Sequence, residues 1–343
     1  MTRQRRRAAS DYKAPVRILY VYSRKTSFIG IDRDLLAERW AVREWYQPGR
    51  IPNLPGLVRA LARCDLVLAW FASWHSVWPI ALAWLTRKPS VLIVGGFDTA
   101  NMPDIGYGHQ QGGMRKHVSR WMMRRATRLV TNSLYSRGEI ERNIGIPPER
   151  VTVIHHGVPD PFEELPSGER ERLALTVGYL LRSTFEHKGH RPFVDAAKLL
   201  PDVRFVFAGR WVEDDAIAAL RSRAGDNVTF TGWLSQDELD SYFRRASVYV
   251  QASRHEGFGL AVAEAMLAGC VPVVTDATAM PEVVGDAAVK IASPSEAEIA
   301  SGIERALAMG DGARRRARER ILREFPVERR RRGLWRVIEE LGG

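Results

Sequence analysis

Short apolar, β-rich segments alternate with helical patterns along nearly the whole chain, and this alternation limits the fold more than any other feature. Helical patterns such as Leu35–Arg43 and Met114–Arg125 separate the segments of the first half. Strands that alternate with helices are typical of parallel βαβ units, so we predict a doubly wound α/β fold. The predicted strands of the first half are Arg17–Tyr22, Leu66–Phe71, Ser90–Val94, Arg128–Thr131 and Val151–Ile154.

A stretch rich in proline, glycine and charge interrupts the alternation at residues 155–172, and new strands follow it. A chain of 343 residues is long enough for two domains, so we predict two tandem Rossmann-like domains with the ligand site in a cleft between them. The predicted strands of the second half are Leu173–Val177, Arg204–Ala208, Val228–Phe230, Val248–Val250 and Val271–Val274. The predicted boundaries are a basic disordered tail at 1–15, domains at 16–158 and 173–325, a linker at 159–172 and an amphipathic closing helix at 326–343.

The charge of the chain is unevenly distributed. Residues 1–160 carry 25 Lys+Arg and 12 Asp+Glu, a net charge of +13, and residues 313–343 carry a net charge of +6. Residues 161–312 carry 15 Lys+Arg and 23 Asp+Glu, a net charge of −8. A basic field attracts nucleic acid, anionic lipid or phosphorylated substrates alike. Base stacking would need aromatic residues among the arginines, and residues 313–332 offer only Phe325, so we expect no nucleic-acid partner.

Cysteine content and targeting signals indicate the compartment. Cys64 and Cys270 are too few for a disulfide framework or a cysteine-rich metal site, which favours a reducing, cytoplasmic environment. No apolar segment follows the N-terminal arginines, so we predict no signal peptide. Residues 66–85 carry no formal charge and are long enough to cross a membrane, but polar residues and Pro79 interrupt them. We predict a buried strand there, then a loop and a helix with Pro79 in its first turn.

The most informative motif lies in residues 248–275. A strand enters a polar loop with the sequence Glu256-Gly257-Phe258-Gly259, and an apolar helix and another strand follow. Glycines let the backbone approach a ligand, and the start of a helix offers free N–H groups to an anion. The carboxylates of Glu256 and Glu264 are suited to accept hydrogen bonds from sugar or ribose hydroxyls.

A second motif occupies residues 176–189, where a strand ends at Gly178 and a loop presents Arg182 and Lys188. Departure of a diphosphate builds negative charge on its oxygens, and fixed cations stabilise that charge as it develops. The two motifs together therefore predict a site for a sugar linked to a diphosphate.

In their order and spacing these motifs resemble those of the retaining glycosyltransferases of family 4, which have the GT-B fold. Glu256 and Glu264 match the family's E-x7-E pattern, and Gly178, Arg182 and Lys188 match its Gly…Arg…Lys-Gly element. The resemblance covers most of the chain and is strongest between residues 151 and 286. Further segments that resemble the family lie at 154–158, 208–209, 230–234 and 281–284.

This resemblance implies a set of roles for residues of the second half. Arg182 and Lys188 would bind the diphosphate of a UDP- or GDP-sugar, and Glu264 would hold the ribose hydroxyls. Glu256 would hold the sugar and phosphate together with the backbone of Gly257, Phe258, Gly259 and Leu260. Gly178 and Gly209 would lie beside the donor, and Trp233 and Leu234 would flank the base. The nucleotide sugar is a substrate, so no cofactor or metal is expected, and the closing helix would pack on the N-terminal domain.

The first half departs from the family pattern. Its first strand is followed by a loop with only Gly30, and Gly95-Gly96 and Asp98 stand where the family often has a histidine. Asp98 would orient or partly deprotonate an acceptor hydroxyl, or else cap a turn. The predicted catalytic set is therefore Glu256, Arg182, Lys188 and Asp98. The Asp32-x-Asp34 triplet is predicted to begin a helix and not to bind a cation.

The function that follows is metal-independent transfer of a hexose-type sugar, with retention, to an envelope glycan or glycolipid. The alternatives are another GT-B activity, such as nucleotide-sugar epimerisation, or a non-catalytic basic protein that binds membrane or nucleic acid. The basic face of residues 114–125 and the arginine run at 313–332 are candidates for peripheral contact with the inner face of the membrane. The alternative for both is an apolar stripe facing the core with a solvated back.

Overall fold

The computed structural model describes residues 16–168 and 170–342, without the side chains of Arg182, Ser183 and Glu186. The strands are β1 (Arg17–Tyr22), β2 (Ala41–Tyr46), β3 (Leu66–Trp70), β4 (Ser90–Val94), β5 (Arg128–Thr131), β6 (Val151–Val153), β7 (Glu171–Val177), β8 (Arg204–Ala208), β9 (Val228–Gly232), β10 (Ala246–Gln251), β11 (Val271–Thr275) and β12 (Val289–Ile291). The predicted tail at residues 1–15 lies outside the described residues.

Helices separate most of these strands. They are α1 (Ser27–Ala37), α2 (Leu54–Ala62), α3 (Trp74–Leu85), α4 (Gly113–Arg125), α5 (Leu134–Ile144), α6 (Arg182–His187), α7 (His190–Ala196), α8 (Asp214–Arg221), α9 (Gln236–Arg245), α10 (Leu260–Leu267), α11 (Met280–Val284), α12 (Glu296–Leu307), α13 (Asp311–Glu324) and α14 (Val327–Gly342).

The strands form two parallel six-stranded sheets. The first has the order β2-β1-β3-β4-β5-β6 and the second the order β12-β11-β10-β7-β8-β9. Strands β3, β4 and β11 are buried along their whole length, as expected for parallel strands covered by helices on both faces. The structure therefore confirms the predicted α/β class with two doubly wound sheets.

By its internal contacts, the chain divides into two compact units. Unit 1 comprises the described residues up to Ile93, Val118–Leu129 and those from Gly333 onward, and unit 2 comprises Val94–His117 and Val130–Arg332. In unit 1 the indole of Trp335 on α14 donates to the carbonyl of Leu35 at 2.8 Å and meets the Trp40 ring edge-on. The domain boundaries predicted from the sequence stay a prediction.

In unit 2 the apolar residues of α10 lie in a buried cluster together with Cys270. The Cys270 thiol donates to the carbonyls of Phe243 and Ala246 at 3.2 and 3.3 Å. Burial raises the pKa of this thiol to about 11, so it remains protonated and serves the core.

Several local predictions were wrong. Helix α1 ends at Ala37, and Ala41–Arg43, predicted as helix, begin strand β2. This strand lies at the edge of its sheet and is mostly exposed, so it lacks the apolar run that marks the central strands. Pro79 lies inside α3 and not in its first turn, because the helix already begins at Trp74. Asp32 and Asp34 likewise lie within α1 and do not begin it.

Much of the C-terminal arginine run is engaged inside unit 2. Arg318 is 6% exposed and donates to the Asp160 carboxylate at 3.0 Å and to the Leu267 carbonyl at 2.7 Å. Arg320 donates to the carbonyls of Val283 and Glu282 on α11. A guanidinium at the last carbonyls of a helix balances the negative end of the helix dipole. These arginines therefore stabilise the fold of the unit that contains the acidic middle of the chain.

No helix among the described residues is long and apolar enough to span a membrane. The uncharged stretch at 66–85 divides into β3 and α3, as the strand-and-helix interpretation predicted.

Candidate functional site

Glycines line the carboxyl ends of three neighbouring strands in the second sheet. Gly178 follows β7, Gly209 follows β8, and Gly232 ends β9, and the N–H of Gly209 donates to the Gly232 carbonyl at 2.9 Å. A Cβ on Gly209 would lie 1.9 Å from the Gly178 carbonyl oxygen, and its φ of 141° is unfavourable for other residues. The structure thus brings the predicted Gly178 and Gly209 together at a place that admits no side chain.

The loop between β10 and α10 carries the Glu256–Gly259 motif. A Cβ on Gly257 would lie 3.0 Å from the backbone nitrogen of Gly96, so the Gly95-Gly96 turn lies directly against this loop. Gly259 has a φ of 93° and precedes Leu260, the first residue of α10. The Phe258 ring is 3% exposed and packs in the core, so only the backbone of this residue is left to face a ligand.

Lys188 and Glu256 form an ion pair in unit 2. The ammonium nitrogen lies 2.5 Å from a carboxylate oxygen, and the side chains are 26% and 17% exposed. Burial acts to raise the pKa of Glu256, but the attraction and hydrogen bond of Lys188 outweigh it and lower the pKa. Glu256 is therefore ionised at neutral pH. It holds one cation beside the glycine loop, while the side chain of Arg182 lies outside the described residues.

Glu264 lies one turn into α10, and its carboxylate has no hydrogen-bond or ion-pair partner among the described side chains. Burial, with a smaller contribution from Asp240, raises its pKa to about 7. A buried carboxylate without partners among the described residues is suited to accept hydrogen bonds from hydroxyl groups.

The predicted base-flanking pair follows β9. Trp233 is 72% exposed, whereas Leu234 is half-buried and packs against the core cluster that contains Val262. An exposed indole next to the glycine strand ends offers a flat apolar surface for stacking.

Two hydrogen bonds join the end of α6, next to Lys188, to the loop that carries Glu256. A His187 ring nitrogen bonds the His255 carbonyl at 2.9 Å, and the Arg254 N–H donates to the His187 carbonyl at 2.8 Å. Burial and the neighbouring Lys188 lower the pKa of His187 to about 3, so this ring is neutral. The two loops that carry the charged pair are thereby fixed relative to each other.

Sequence reasoning missed Glu139, a carboxylate that is only 3% exposed. It accepts hydrogen bonds from the His255 ring at 2.9 Å, from the Thr99 hydroxyl at 2.8 Å and from Tyr135 at 3.3 Å. Its surroundings in sequence, SRGEIERNI, resemble a solvated helix. Glu139 thus ties α5, the loop after β4 and the residue before Glu256 into one buried network.

Asp98 lies in the same loop after β4 and is 2% exposed. Its carboxylate accepts the Gly95 N–H at 2.9 Å, which is the contact of a turn cap. Its role toward an acceptor hydroxyl stays a prediction. Tyr107, from the same segment, stacks on the His187 ring at 3.9 Å, and burial raises its pKa above the ordinary value.

Glu282, in the segment at 281–284 that resembles the family, has a structural role that the sequence did not indicate. Its carboxylate accepts the first free N–H of α5, from Leu134, at 2.9 Å and bonds His155 at 2.5 Å.

In the part of the chain that the structure describes, no group of three or more His, Cys, Asp or Glu residues is arranged to hold a metal ion.

Comparison with known proteins adds two family models that match the chain in tandem. Residues 24–160 match the model of Glycosyltransferase Family 4, and residues 160–323 match that of the Glycosyl transferases group 1. The chain is 31% identical over 188 residues to the O-antigen chain mannosyltransferase B of Escherichia coli, covering 50% of this chain and 49% of that protein. It is 27% identical over 273 residues to a glycogen synthase of Mycobacterium tuberculosis, covering 74% of this chain and 66% of that protein. The chain spans about half the length of the first curated relatives it matches.

The structure is similar to solved structures along nearly its whole length. The crystal structure of Anabaena Alr3699/HepE in complex with UDP-glucose has a TM-score of 0.80 at 17% identity, covering 95% of this chain and 100% of that chain. Sucrose-phosphate synthase from Thermosynechococcus elongatus has a TM-score of 0.75 at 18% identity, covering 95% and 99%. At these identities the similarity concerns the fold, and it confirms the predicted GT-B architecture.

Proposed function

We propose that this chain, which belongs to glycosyltransferase family 4, transfers a hexose-type sugar from a UDP- or GDP-linked donor to an envelope glycan or glycolipid. The observation that carries the proposal is the Lys188–Glu256 ion pair beside the glycine loop, within the segment matched by the group 1 model. The half-buried Glu264 carboxylate, on the helix that begins after the same loop, supports it.

In the proposed complex each residue acts through its charge, its hydrogen-bonding groups, its small size or its apolar surface. Lys188, with Arg182 as the resemblance implies, would neutralise the donor diphosphate, and Glu264 would accept the ribose hydroxyls. Gly257 to Leu260 would offer backbone N–H groups to sugar and phosphate, and Gly178 and Gly209 would leave room for the nucleotide. Trp233 and Leu234 would lie on either side of the base.

The proposed reaction proceeds with retention of the anomeric configuration. The bond between the anomeric carbon and the donor phosphate oxygen breaks while the acceptor oxygen bonds to that carbon on the same face. The acceptor proton passes to the leaving phosphate, whose growing charge Lys188 stabilises. Because lysine and arginine would supply this positive charge, we propose that no metal ion is needed. Asp98 would orient the acceptor hydroxyl.

The names of similar proteins support both the proposed nucleotide-sugar donor and the proposed acceptor. The Anabaena structure contains UDP-glucose. The E. coli relative is named for mannosyl transfer to O-antigen, and a Xanthomonas oryzae relative, 39% identical over 85 residues, is named for transfer from GDP-mannose to a diphosphopolyprenol-linked sugar.

A thermal-shift screen tests the donor assignment. We expect one class of UDP- or GDP-sugar to raise the melting temperature, because a ligand that binds only the folded state stabilises it. Lys188→Ala should abolish the shift, whereas Lys198→Ala, an exposed lysine outside the motifs, should retain it. Absence of a shift with every UDP-, GDP- and ADP-sugar would contradict the proposal.

Product analysis separates the proposed reaction from its alternatives. With donor and acceptor, NMR of the product should show the donor's anomeric configuration, and chelation by EDTA should leave the rate unchanged. With donor alone, conversion to an isomeric nucleotide sugar would instead indicate an epimerase. An inverted product or loss of activity with EDTA would contradict the retaining, metal-independent mechanism.

A further inference from the structure

Unit 1 exposes apolar side chains on two neighbouring helices, α2 and α3. Residues 51–85 are about a tenth of the chain, yet they carry six of the fifteen large hydrophobic residues exposed in its described part. We call these six the α2–α3 face: Ile51 (82% exposed), Leu54 (39%), Val58 (53%), Trp78 (42%), Trp84 (43%) and Leu85 (65%). Single exposed hydrophobic residues are ordinary, but such a concentration marks an interaction surface.

Helical spacing shows that this exposure is organised. Leu54 and Val58 are four residues apart on α2, while Leu57, Ala60 and Leu61 of the same helix are buried. Trp78 and Leu85 are seven residues apart on α3, whose opposite side, with His75, Pro79 and Ile80, is buried. Each helix therefore presents one apolar side to the core and a second apolar side to solvent.

The charges around this face are almost all positive. Helix α3 has no charged residue, and Asp65 is the only acidic residue between positions 45 and 97, where it pairs with Arg17 at 2.8 Å. Arg50 lies over the Trp74 ring, and Arg125 lies over the Trp84 ring at 4.7 Å. A cavity of about 400 Å³ between Trp84, Arg87, Lys88 and Arg125 continues this basic rim.

We propose that the α2–α3 face binds the surface of an anionic lipid bilayer. Tryptophan is suited to the headgroup level, where its ring is apolar and its N–H remains wet, and arginines beside it contact lipid phosphates. Trp78, Trp84 and Leu85 enter the interface, and Arg50, Arg87 and Arg125 flank them. A second copy of the chain would place one predominantly basic face against another, which like-charge repulsion disfavours.

This surface agrees only in part with the membrane contacts that the sequence suggested. Arg125 belongs to the predicted basic face of residues 114–125 and lies over Trp84. The arginine run at 313–332 supplies Arg318, Arg320 and Arg330 to internal hydrogen bonds, which removes them from a lipid surface. The inference goes beyond the proposed function, because lipid binding requires neither donor nor acceptor.

Flotation of the full chain with vesicles tests the proposal. We expect binding to vesicles that contain phosphatidylglycerol, little binding to pure phosphatidylcholine, and weakening by salt. Trp78→Ser with Leu85→Ser should weaken binding, whereas Leu199→Ser with Val212→Ser, exposed apolar residues elsewhere, should not. Arg50→Gln with Arg87→Gln should reduce the partition constant about fivefold for each charge removed.

A matched charge control decides whether location or total charge matters. Arg315→Gln with Arg316→Gln removes the same charge from the exposed side of α13 and should leave flotation unchanged. Circular dichroism and the donor-induced thermal shift establish that each variant is folded. The proposal would be overturned if the two double arginine variants lost binding equally. It would also be overturned if the Trp78 and Leu85 changes had no effect, or if the wild-type chain did not bind anionic vesicles. Self-association that the same face variants abolish would also overturn it, in favour of a dimer interface.

Discussion

At the scale of single residues, the buried carboxylate of Glu264 costs the fold stability when it is ionised. The carboxyl of an unfolded chain ionises near pH 4.5, whereas burial raises the pKa of Glu264 in the fold to about 7. The stability that this raised pKa gives is complete below pH 4.5 and is lost as the pH rises through 7. A residue retained under these conditions is expected to serve a ligand.

We therefore predict that Glu264→Gln is more stable than the wild type at pH 8, by up to about 3 kcal/mol, and no more stable at pH 4. The same variant should lose affinity for the nucleotide sugar, because an amide accepts fewer hydrogen bonds from hydroxyls than a carboxylate does. Urea denaturation at the two pH values measures the free energy of unfolding, and titration calorimetry measures the affinity. Glu319→Gln, at an exposed position of α13, is the control and should change neither. A less stable Glu264→Gln at pH 8 would contradict the burial argument.

Residues in recognisable motifs could be predicted from the sequence, whereas the buried residues that hold those motifs in place could not. Glu256, Lys188 and the glycines stand in short, ordered patterns whose chemistry can be inferred from spacing. Glu139 stands among charged residues of a helix that resembles a surface helix, and only the fold shows that three hydroxyl and ring donors surround it. Burial of one charge depends on contacts between distant segments, which a local pattern does not contain.

At the scale of elements, the Glu139 network joins α5 to the loop after β4 and to the loop between β10 and α10. Its two carboxylate oxygens accept from different partners, His255 and Thr99. In Glu139→Gln one of these oxygens becomes an N–H₂ donor facing a donor, which leaves a buried group unsatisfied. The elements would stay folded but their relative position would relax.

We predict that Glu139→Gln lowers the free energy of unfolding by about 1–3 kcal/mol and weakens donor binding. Glu141→Gln on the same helix, at an exposed position, should change neither. Thermal denaturation and donor titration of both variants measure the two effects. A purely structural role would lower stability but leave the KM for the donor unchanged, so both readouts are required.

Strand prediction succeeded where burial leaves a continuous apolar run. Strands β1, β4, β5 and β8 have the predicted bounds, because central parallel strands are covered on both faces. Strand β2 lies at a sheet edge with mostly exposed residues, and β12 has only three residues, so neither carries that signal. The helix predicted across Leu35–Arg43 extended into β2 for the same reason.

At the scale of the whole molecule, the charges that sum to +11 lie in different parts of the fold and serve different purposes. Some of the basic residues surround the α2–α3 face. Others, in the C-terminal arginine run, donate hydrogen bonds to backbone carbonyls. The donor motifs lie in the segment at 161–312, whose net charge is −8. A sequence sum treats these charges as one field, whereas the fold separates them.

This separation predicts that salt acts differently on the two binding events. Salt strongly screens the attraction between exposed arginines and a lipid surface, because both groups are in solvent. The half-buried Lys188–Glu256 pair is screened less. Raising the salt concentration from about 0.05 to about 0.5 M should therefore release the chain from anionic vesicles while changing the donor affinity much less. Flotation and donor titration on one protein sample across one salt series measure both quantities. If the two affinities fell in parallel, the basic field of the whole chain would hold the donor, and a local role for Lys188 would be untenable.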